Sequence, residues 1–182
     1  MKELLKVVKR VFGTSAEGEA PPTDFITQVL EPTGGKILRP VDWFYYESHR
    51  GAAYNWTLSR EDPSDGRPYA TGVRIQTLMN VEEGTGKTAK QFILDLMAAR
   101  TKNASKVIKT CDEKDQGIFT RVCLETEGGP YHILYSLFWG SCGMDVAVVV
   151  IAGTMKKLWE TYSSTFDKMS DFDLIDMERF DE

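Results

Sequence analysis

The second half of the chain contains four short β-prone segments in series, and this series constrains the fold more than any other feature of the sequence. The segments cover residues 105–111, 117–125, 131–139 and 144–151. Their connections are short and contain turn-forming residues such as Gly128-Gly129. Short connections can join antiparallel strands, whereas parallel strands need a crossover of a dozen or more residues. The sequence therefore predicts an antiparallel meander.

The last two segments differ from the others in their burial pattern. Residues 117–125 alternate apolar side chains with Arg121 and Glu125, whereas residues 131–139 and 144–151 are apolar at nearly every position. Alternation is typical of a strand with one solvated face, and a continuous apolar run is typical of a strand covered on both faces. We therefore expect these last two segments to lie at the centre of the sheet.

One helix is predicted before the meander in the chain and one after it. In residues 88–100 apolar side chains recur at helical spacing, and Thr88 with Gln91 has the spacing of a capping box. A second helix is predicted from near Thr154, with an apolar stripe that continues to Met169.

The first half adds further strand candidates. They cover residues 25–30, 41–47, 54–59 and 70–79, with Gly34-Gly35 predicted as a turn. Strands and helices do not alternate along the chain, so a parallel nucleotide-binding sheet is excluded. The predicted class is α+β, with a central antiparallel sheet of about six strands flanked by helices.

The N-terminal segment has a pattern of its own. Residues 1–12 carry four basic side chains against Glu3, and they predict a short amphipathic helix. Its apolar face consists of Leu4, Leu5, Val8, Val11 and Phe12, and all of these except Val11 are predicted to bind a partner. Residues 13–23 are rich in small residues, glycine and proline, which predicts a linker. A helix this short needs a surface to lie against. The alternatives are its own domain, its own acidic tail, another subunit or an anionic membrane surface.

The C-terminal segment is acidic. Residues 171–182 hold six carboxylates against Arg179, and the net charge of the whole chain is −5. Apolar side chains lie between the carboxylates, namely Phe172, Leu174, Ile175, Met177 and Phe180. One interpretation is that residues 172–175 close the core beneath the last helix. The other is that these side chains bind a partner protein. The predicted divisions are 1–23, a domain at 24–173 and an acidic tail at 174–182.

Charge and hydropathy exclude two classes of protein. The sequence pI is about 5.2 and no basic stripe is present, so we expect no nucleic-acid partner. No apolar run approaches the roughly 20 residues of a transmembrane helix, so we expect a soluble protein. Lys6, Lys9 and Arg10 interrupt the N-terminal apolar segment, so no signal peptide is predicted.

The sequence contains no complete catalytic or phosphate-binding motif. Residues 84–88 end in the Gly-Lys-Thr of a phosphate-binding loop, but Val81 stands where that motif requires glycine. His132 is interpreted as a hydrogen-bonded core residue, and residues 140–143 as a hairpin. We therefore expect no enzyme activity, no metal and no cofactor.

Two further features leave alternatives open. Cys111, Cys123 and Cys142 are interpreted as reduced, buried thiols, with a bridge from Cys111 to Cys123 as the alternative. A second possibility for function is a small-ligand or enzymatic pocket lined by aromatic side chains, namely Trp43, Tyr45, Tyr54 and Trp56.

The order of segments resembles a known family. Pro40-Val41-Asp42-Trp43, Phe92-Ile93-Leu94 and the run at 148–154, followed by Trp159 and Phe166, resemble the PsbP-like superfamily across residues 24–173. That superfamily includes photosystem extrinsic proteins, Ran-binding nuclear-import factors, DcrB-type lipoproteins and type VI effector chaperones.

The resemblance implies a PsbP-like α/β/α sandwich and a noncatalytic accessory or assembly protein that stabilises a larger, photosynthetic complex. A secretion-effector chaperone is an alternative within the same resemblance. The sequence does not specify the compartment, and the alternatives are the cytoplasm, or an organelle interior such as the thylakoid lumen or stroma if a targeting segment was removed.

Overall fold

The computed structural model describes residues 20–141, 143–176 and 178. The predicted N-terminal helix lies outside these residues. The strands in the described part are β1 (Phe25–Leu30), β2 (Gly34–Pro40), β3 (Phe44–Arg50), β4 (Ala53–Ser59), β5 (Gly72–Met79), β6 (Lys106–Asp115), β7 (Phe119–Gly128), β8 (Tyr131–Gly140), β9 (Val146–Met155) and β10 (Phe172–Ile175). The helices are α1 (Val81–Thr85), α2 (Ala89–Asn103) and α3 (Trp159–Met169), and Ser64–Gly66 and Lys156–Leu158 form 3₁₀ turns.

The main sheet has seven strands in the order β3-β4-β5-β9-β8-β7-β6, and every neighbouring pair is antiparallel. The predicted meander is confirmed as β6 to β9. The predicted central position is confirmed for β9, with β8 beside it. The sheet is one strand larger than expected, because the aromatic segment after Pro40 turns first and then contributes β3 along the edge of β4.

Two core clusters lie on opposite faces of this sheet and share β9. Val148 and Val150 face one cluster, while Ala147 and Val149 face the other. Helix α2 covers the second face through Ile93. The first face is covered by α3 together with a small sheet, rather than by helices alone. The architecture therefore matches the expected α/β/α sandwich only roughly.

The small sheet has the order β1-β2-β10. The predicted turn at Gly34-Gly35 is wrong, because these glycines are the first residues of β2. A side chain at Gly35 would overlap the backbone carbonyls of Asp173 and Leu174. Glycine is needed there because β10 lies directly against β2. Strand β10 also extends across the predicted domain boundary at residue 173.

Helix α2 has the predicted N-terminus. The Thr88 side-chain oxygen accepts a hydrogen bond from the Gln91 backbone N–H at 3.2 Å, as a capping residue does. The helix ends at Asn103, three residues beyond the predicted end. The stretch before it contains α1 and a left-handed Gly86 with φ of 68°, so residues 84–87 belong to a helix end and a turn.

A disulfide joins Cys111 on β6 to Cys123 on β7. The two residues are directly opposite in the ladder, and their Cα atoms are 4.9 Å apart. The interpretation of three reduced thiols is therefore wrong for this pair, and the bridged alternative is the one present. Cys142 lies outside the described residues.

Candidate functional site

A groove of about 440 Å³ lies between β10 and the face of the main sheet that α2 does not cover. We call it the β10 groove. One wall is β10 with the two residues before it, Ser170 and Asp171. The opposite wall and floor come from β7, β8 and β9 and consist mainly of Phe119, Arg121, Ser136, Phe138, Val148 and Val150.

Strand β10 presents an open backbone edge to this groove. In the described part of the chain it pairs only with β2. The Asp176 N–H donates to the Thr33 carbonyl at 3.0 Å, in the same register as the β2–β10 pairs. Backbone groups alternate between the two sides of a strand, so residues 172, 174 and 176 point theirs to β2. By the same alternation Asp173 and Ile175 direct their N–H groups away from β2, toward the groove, whereas the Asp173 carbonyl lies against Gly35 of β2.

The floor of the groove is apolar. Phe119 and Phe138 are partly buried and pack against the core cluster, and Val148 and Val150 lie beside them. At the mouth, Ile118 is 62% exposed, which is the largest exposed fraction among the large apolar side chains of the described residues. Covering such a surface is favourable by roughly 25 cal/mol per Å² of apolar area.

Arg121 places a positive charge on this apolar floor. Its Nη2 donates to the Ser136 hydroxyl at 2.9 Å, and its guanidinium lies 5.9 Å from the centre of the Phe138 ring. The Nε atom is buried and has no hydrogen-bond partner. Within residues 20–141, 143–176 and 178, the guanidinium forms no ion pair with a carboxylate. The site therefore holds a cation with unused hydrogen-bonding capacity.

Carboxylates line the other side of the groove. Asp171 and Asp173 are exposed on the β10 wall. The groove thus has a cation on its floor, carboxylates along its edge and apolar surface between them. A ligand that matches this pattern would be extended and would alternate apolar and polar groups.

Three of the C-terminal residues predicted to bind a partner lie in the described part of the chain. Phe172 and Leu174 turn toward the small sheet's inner face and pack against the core cluster. Ile175 is half-buried and, with these two, lines the groove. Met177, Phe180 and the N-terminal quartet of Leu4, Leu5, Val8 and Phe12 lie outside the described residues.

The four aromatic side chains predicted to form a pocket do not line the β10 groove. Trp43 and Trp56 are core residues, with exposed fractions of 2% and 0%. Tyr54 stacks on Trp56 with ring centres 6.1 Å apart. The Tyr45 hydroxyl donates to Glu47 at 2.8 Å, and burial together with this hydrogen bond raises the pKa of Tyr45.

His132 occupies the hydrogen-bonded position that the sequence indicated. Its Nε2 lies 2.6 Å from Glu125 Oε1, and its ring stacks on Trp159 with centres 3.7 Å apart. The described residues contain no group of three or more histidine, cysteine, aspartate or glutamate side chains placed to hold a metal ion. Within the same residues, no helix is both long enough and apolar enough to span a membrane.

The residues of the groove floor were missed by the sequence analysis. Arg121 was interpreted as part of a solvated face because it alternates with apolar residues. Phe138 is the residue from which the covered face could have been predicted. It lies on the same face as Arg121, and a large aromatic side chain there indicates that the face is partly covered. Only the pairing of β7 with β8 brings the two side chains together.

Comparison with known proteins finds similarity among solved structures. No protein-family model matches the chain, and no curated protein matches it. The structure is similar to the solution structure of cyanobacterial PsbP (CyanoP) from Synechocystis sp. PCC 6803, with a TM-score of 0.48 and 14% sequence identity. The match covers 90% of this chain and 98% of that one.

Proposed function

We propose that this chain is a noncatalytic accessory protein that holds an extended segment of a partner protein in the β10 groove. The observation that carries the proposal is the open backbone edge of β10 beside an apolar floor. The Asp173 N–H and the Ile175 backbone groups would bond the partner's main chain, as in other cases of strand addition. The partner's alternate side chains would then lie on Phe119 and Phe138.

The geometry also limits the segment that can bind. Strand β10 has four residues, so the added strand would be about four to six residues long. Arg121 has no carboxylate partner in the described residues, and it would favour a segment with one acidic side chain among apolar ones. Asp171 and Asp173 on the opposite wall would disfavour a second carboxylate close to β10.

The family resemblance supports the same class of function. The residues at 40–43 and 148–154 resemble proteins that stabilise larger assemblies, including photosynthetic ones. In this proposal the N-terminal segment with Leu4, Leu5, Val8 and Phe12 adds a second contact with the partner complex or a membrane surface. The Cys111–Cys123 bridge favours a compartment that is oxidising.

The test blocks the open edge without removing β10. Deleting residues 172–182 would remove core side chains, whereas Asp173→Pro removes one N–H that faces the groove and leaves the bonds to β2 in place. Thr27→Pro is the matched control. The Val41 N–H donates to the Asp24 carbonyl, and this alternation points the Thr27 N–H away from β2 on the other edge of the same sheet.

Both variants and the unchanged protein would be expressed with a tag in the native organism and cross-linked before purification. We expect a stoichiometric partner with the unchanged protein and with Thr27→Pro, and its loss with Asp173→Pro. Retention of that partner by Asp173→Pro, with a native circular dichroism spectrum, would contradict binding at this edge. Recovery of all three as lone monomers would contradict the accessory function itself.

A further inference from the structure

The main sheet has a second cavity on its other face. Helix α2 covers this face over β7, β8 and β9, but not over β3, β4 and β5. The connection from β4 to β5, residues 60–71, crosses the uncovered part. It leaves a cavity of about 210 Å³ between the connection and the three strands.

Hydrogen bonds hold the connection in place above this cavity. The Glu61 carboxylate accepts from the backbone N–H groups of Ala70 and Thr71, both at 3.1 Å. The Ser59 hydroxyl donates to the Glu61 carbonyl at 2.7 Å. The Asp62 carboxylate accepts from the Ser64 N–H at 2.9 Å. The roof of the cavity is therefore fixed by its own contacts and does not depend on a ligand.

The lining consists of hydrogen-bond donors and contains no carboxylate. Its polar side chains are Tyr46, Ser48, Asn55, Thr57, Tyr69 and the two arginines Arg67 and Arg74. The amide of Asn55 is already used, because it accepts from Gln76 at 2.8 Å and donates to the Ser48 carbonyl at 3.2 Å. The hydroxyls and the Arg74 guanidinium remain for a ligand.

The two arginines differ in how far they are neutralised. Arg67 lies on the rim, 3.6 Å from Asp62 and 3.9 Å from Asp65. In the part of the chain that the structure describes, Arg74 forms no ion pair. Tyr69 lies close enough to interact electrostatically with Arg74, and burial raises the pKa of the Tyr69 hydroxyl, which therefore remains a donor at neutral pH. Arg74 is exposed and supplies a positive charge that no described carboxylate neutralises, whereas Asp62 and Asp65 offset the charge of Arg67.

We propose that this cavity binds a small oxyanion, either a phosphate group or a carboxylate of a small molecule, with Arg74 as its main counter-charge. A guanidinium with surrounding hydroxyl donors is the usual way in which proteins bind both groups. The volume is below the roughly 300–1,000 Å³ of pockets for drug-sized ligands, so the ligand is compact. The site is independent of the β10 groove, which lies on the opposite face of the sheet.

The test is a titration followed by two-dimensional ¹⁵N–¹H NMR, at constant ionic strength, with sodium phosphate and separately with sodium succinate. We expect saturable shifts of the backbone amides of Gly66 and Tyr69 with at least one anion. Arg74→Gln should raise the dissociation constant at least tenfold. Arg50→Gln, which removes the same charge from the exposed end of β3, should leave it unchanged.

Saturation with phosphate alone or succinate alone would support the site and identify the class of anion. Shifts that rise linearly with both anions would overturn the proposal. Equal weakening in Arg74→Gln and Arg50→Gln would also overturn it, because that result indicates general attraction to surface charge. If Arg74→Gln loses its dispersed spectrum, Arg67→Gln replaces it, with a weaker but saturable interaction as the expected result.

Discussion

Glu127 and Lys156 form an ion pair that links β7 to the chain just beyond β9. The Lys156 Nζ lies 3.0 Å from Glu127 Oε2, and the Lys156 backbone N–H donates to the Pro130 carbonyl at 2.8 Å. The hydrogen bond from Lys156 holds the pKa of Glu127 below its ordinary value of 4.5. Because both side chains are partly exposed, the ion pair contributes little to the free energy of unfolding. Its main effect is to hold the start of the chain beyond β9 against β7.

The first prediction concerns the titration of Glu127. Replacing Lys156→Met should raise the Glu127 pKa toward its ordinary value, as followed by NMR of the side-chain carboxyl carbon against pH. A carboxyl whose folded pKa is lowered stabilises the fold above its unfolded pKa, and this contribution is lost as the pH falls through the folded pKa. The unchanged protein should therefore lose stability from below about pH 4.5, and Lys156→Met should lose less.

Lys157→Met is the matched control, because Lys157 is exposed and has no hydrogen bond or ion pair with Glu127 in the described residues. Its Glu127 titration should be unchanged. A Glu127 titration in Lys156→Met that overlays the unchanged protein would show that the ion pair does not form in solution.

At the level of elements, the position of β10 depends on the absence of a side chain at Gly35. Gly35→Ala would place a methyl group against the carbonyls of Asp173 and Leu174, so β10 must move away from β2. We expect a loss of about 1–3 kcal/mol in the free energy of unfolding, as for other overpacked positions, measured by urea denaturation. Hydrogen exchange of the Asp176 amide should become faster.

Gly128→Ala is the control for this change. Gly128 also lies in a strand, and a methyl group there meets no atom within 4 Å. Its effect on stability should be within about 0.5 kcal/mol, as for ordinary surface positions. Equal losses in the two variants would show that the close contact between β2 and β10 is not present in solution.

The elements that the sequence predicted well are those that depend on residues close to one another in the chain. Strands β7, β8 and β9 follow one another with short turns, and α2 has its own cap and apolar stripe. Strand β10 was not predicted as a strand, because its four residues belong to a segment that mixes acidic and apolar types, as a solvated tail also does. Its partner is β2, near the other end of the chain, and nothing in local sequence specifies that pairing.

The candidate site was less predictable than the fold. Of the nine residues predicted to bind a partner, Phe172, Leu174 and Ile175 line the groove and the other six lie outside the described residues. Arg121 was visible only as a charged position in an alternating strand. Its proximity to Phe138 results from the β7–β8 register, and its proximity to β10 results from the way α3 returns the chain.

At the level of the whole molecule, the two core clusters are joined through β9. Val148 is 2% exposed and faces one cluster, and Val149 is 8% exposed and faces the other. If β9 detached from the sheet, the apolar side chains of both clusters would be exposed to water. We therefore expect the described domain to unfold in one cooperative transition.

Val148→Ala and Val149→Ala test this expectation by calorimetry. Each should lower the midpoint of a single transition, by the several degrees that about 1–3 kcal/mol represents for a domain of this size. Val107→Ala, on an exposed side chain of β6, should leave the midpoint nearly unchanged. A second peak in either core variant would show that the clusters unfold independently.

The pairings of β2 with β10 and of β5 with β9 also have a consequence for synthesis on the ribosome. A chain emerges from its N-terminus, and β2 and β5 leave the ribosome long before their partners β10 and β9 are translated. Until then, the apolar face of β4 and β5 lacks the part of its covering that α3 supplies. Completion of the fold must therefore follow translation of β9 and β10, and we expect the nascent chain to bind the chaperones that recognise exposed apolar strands.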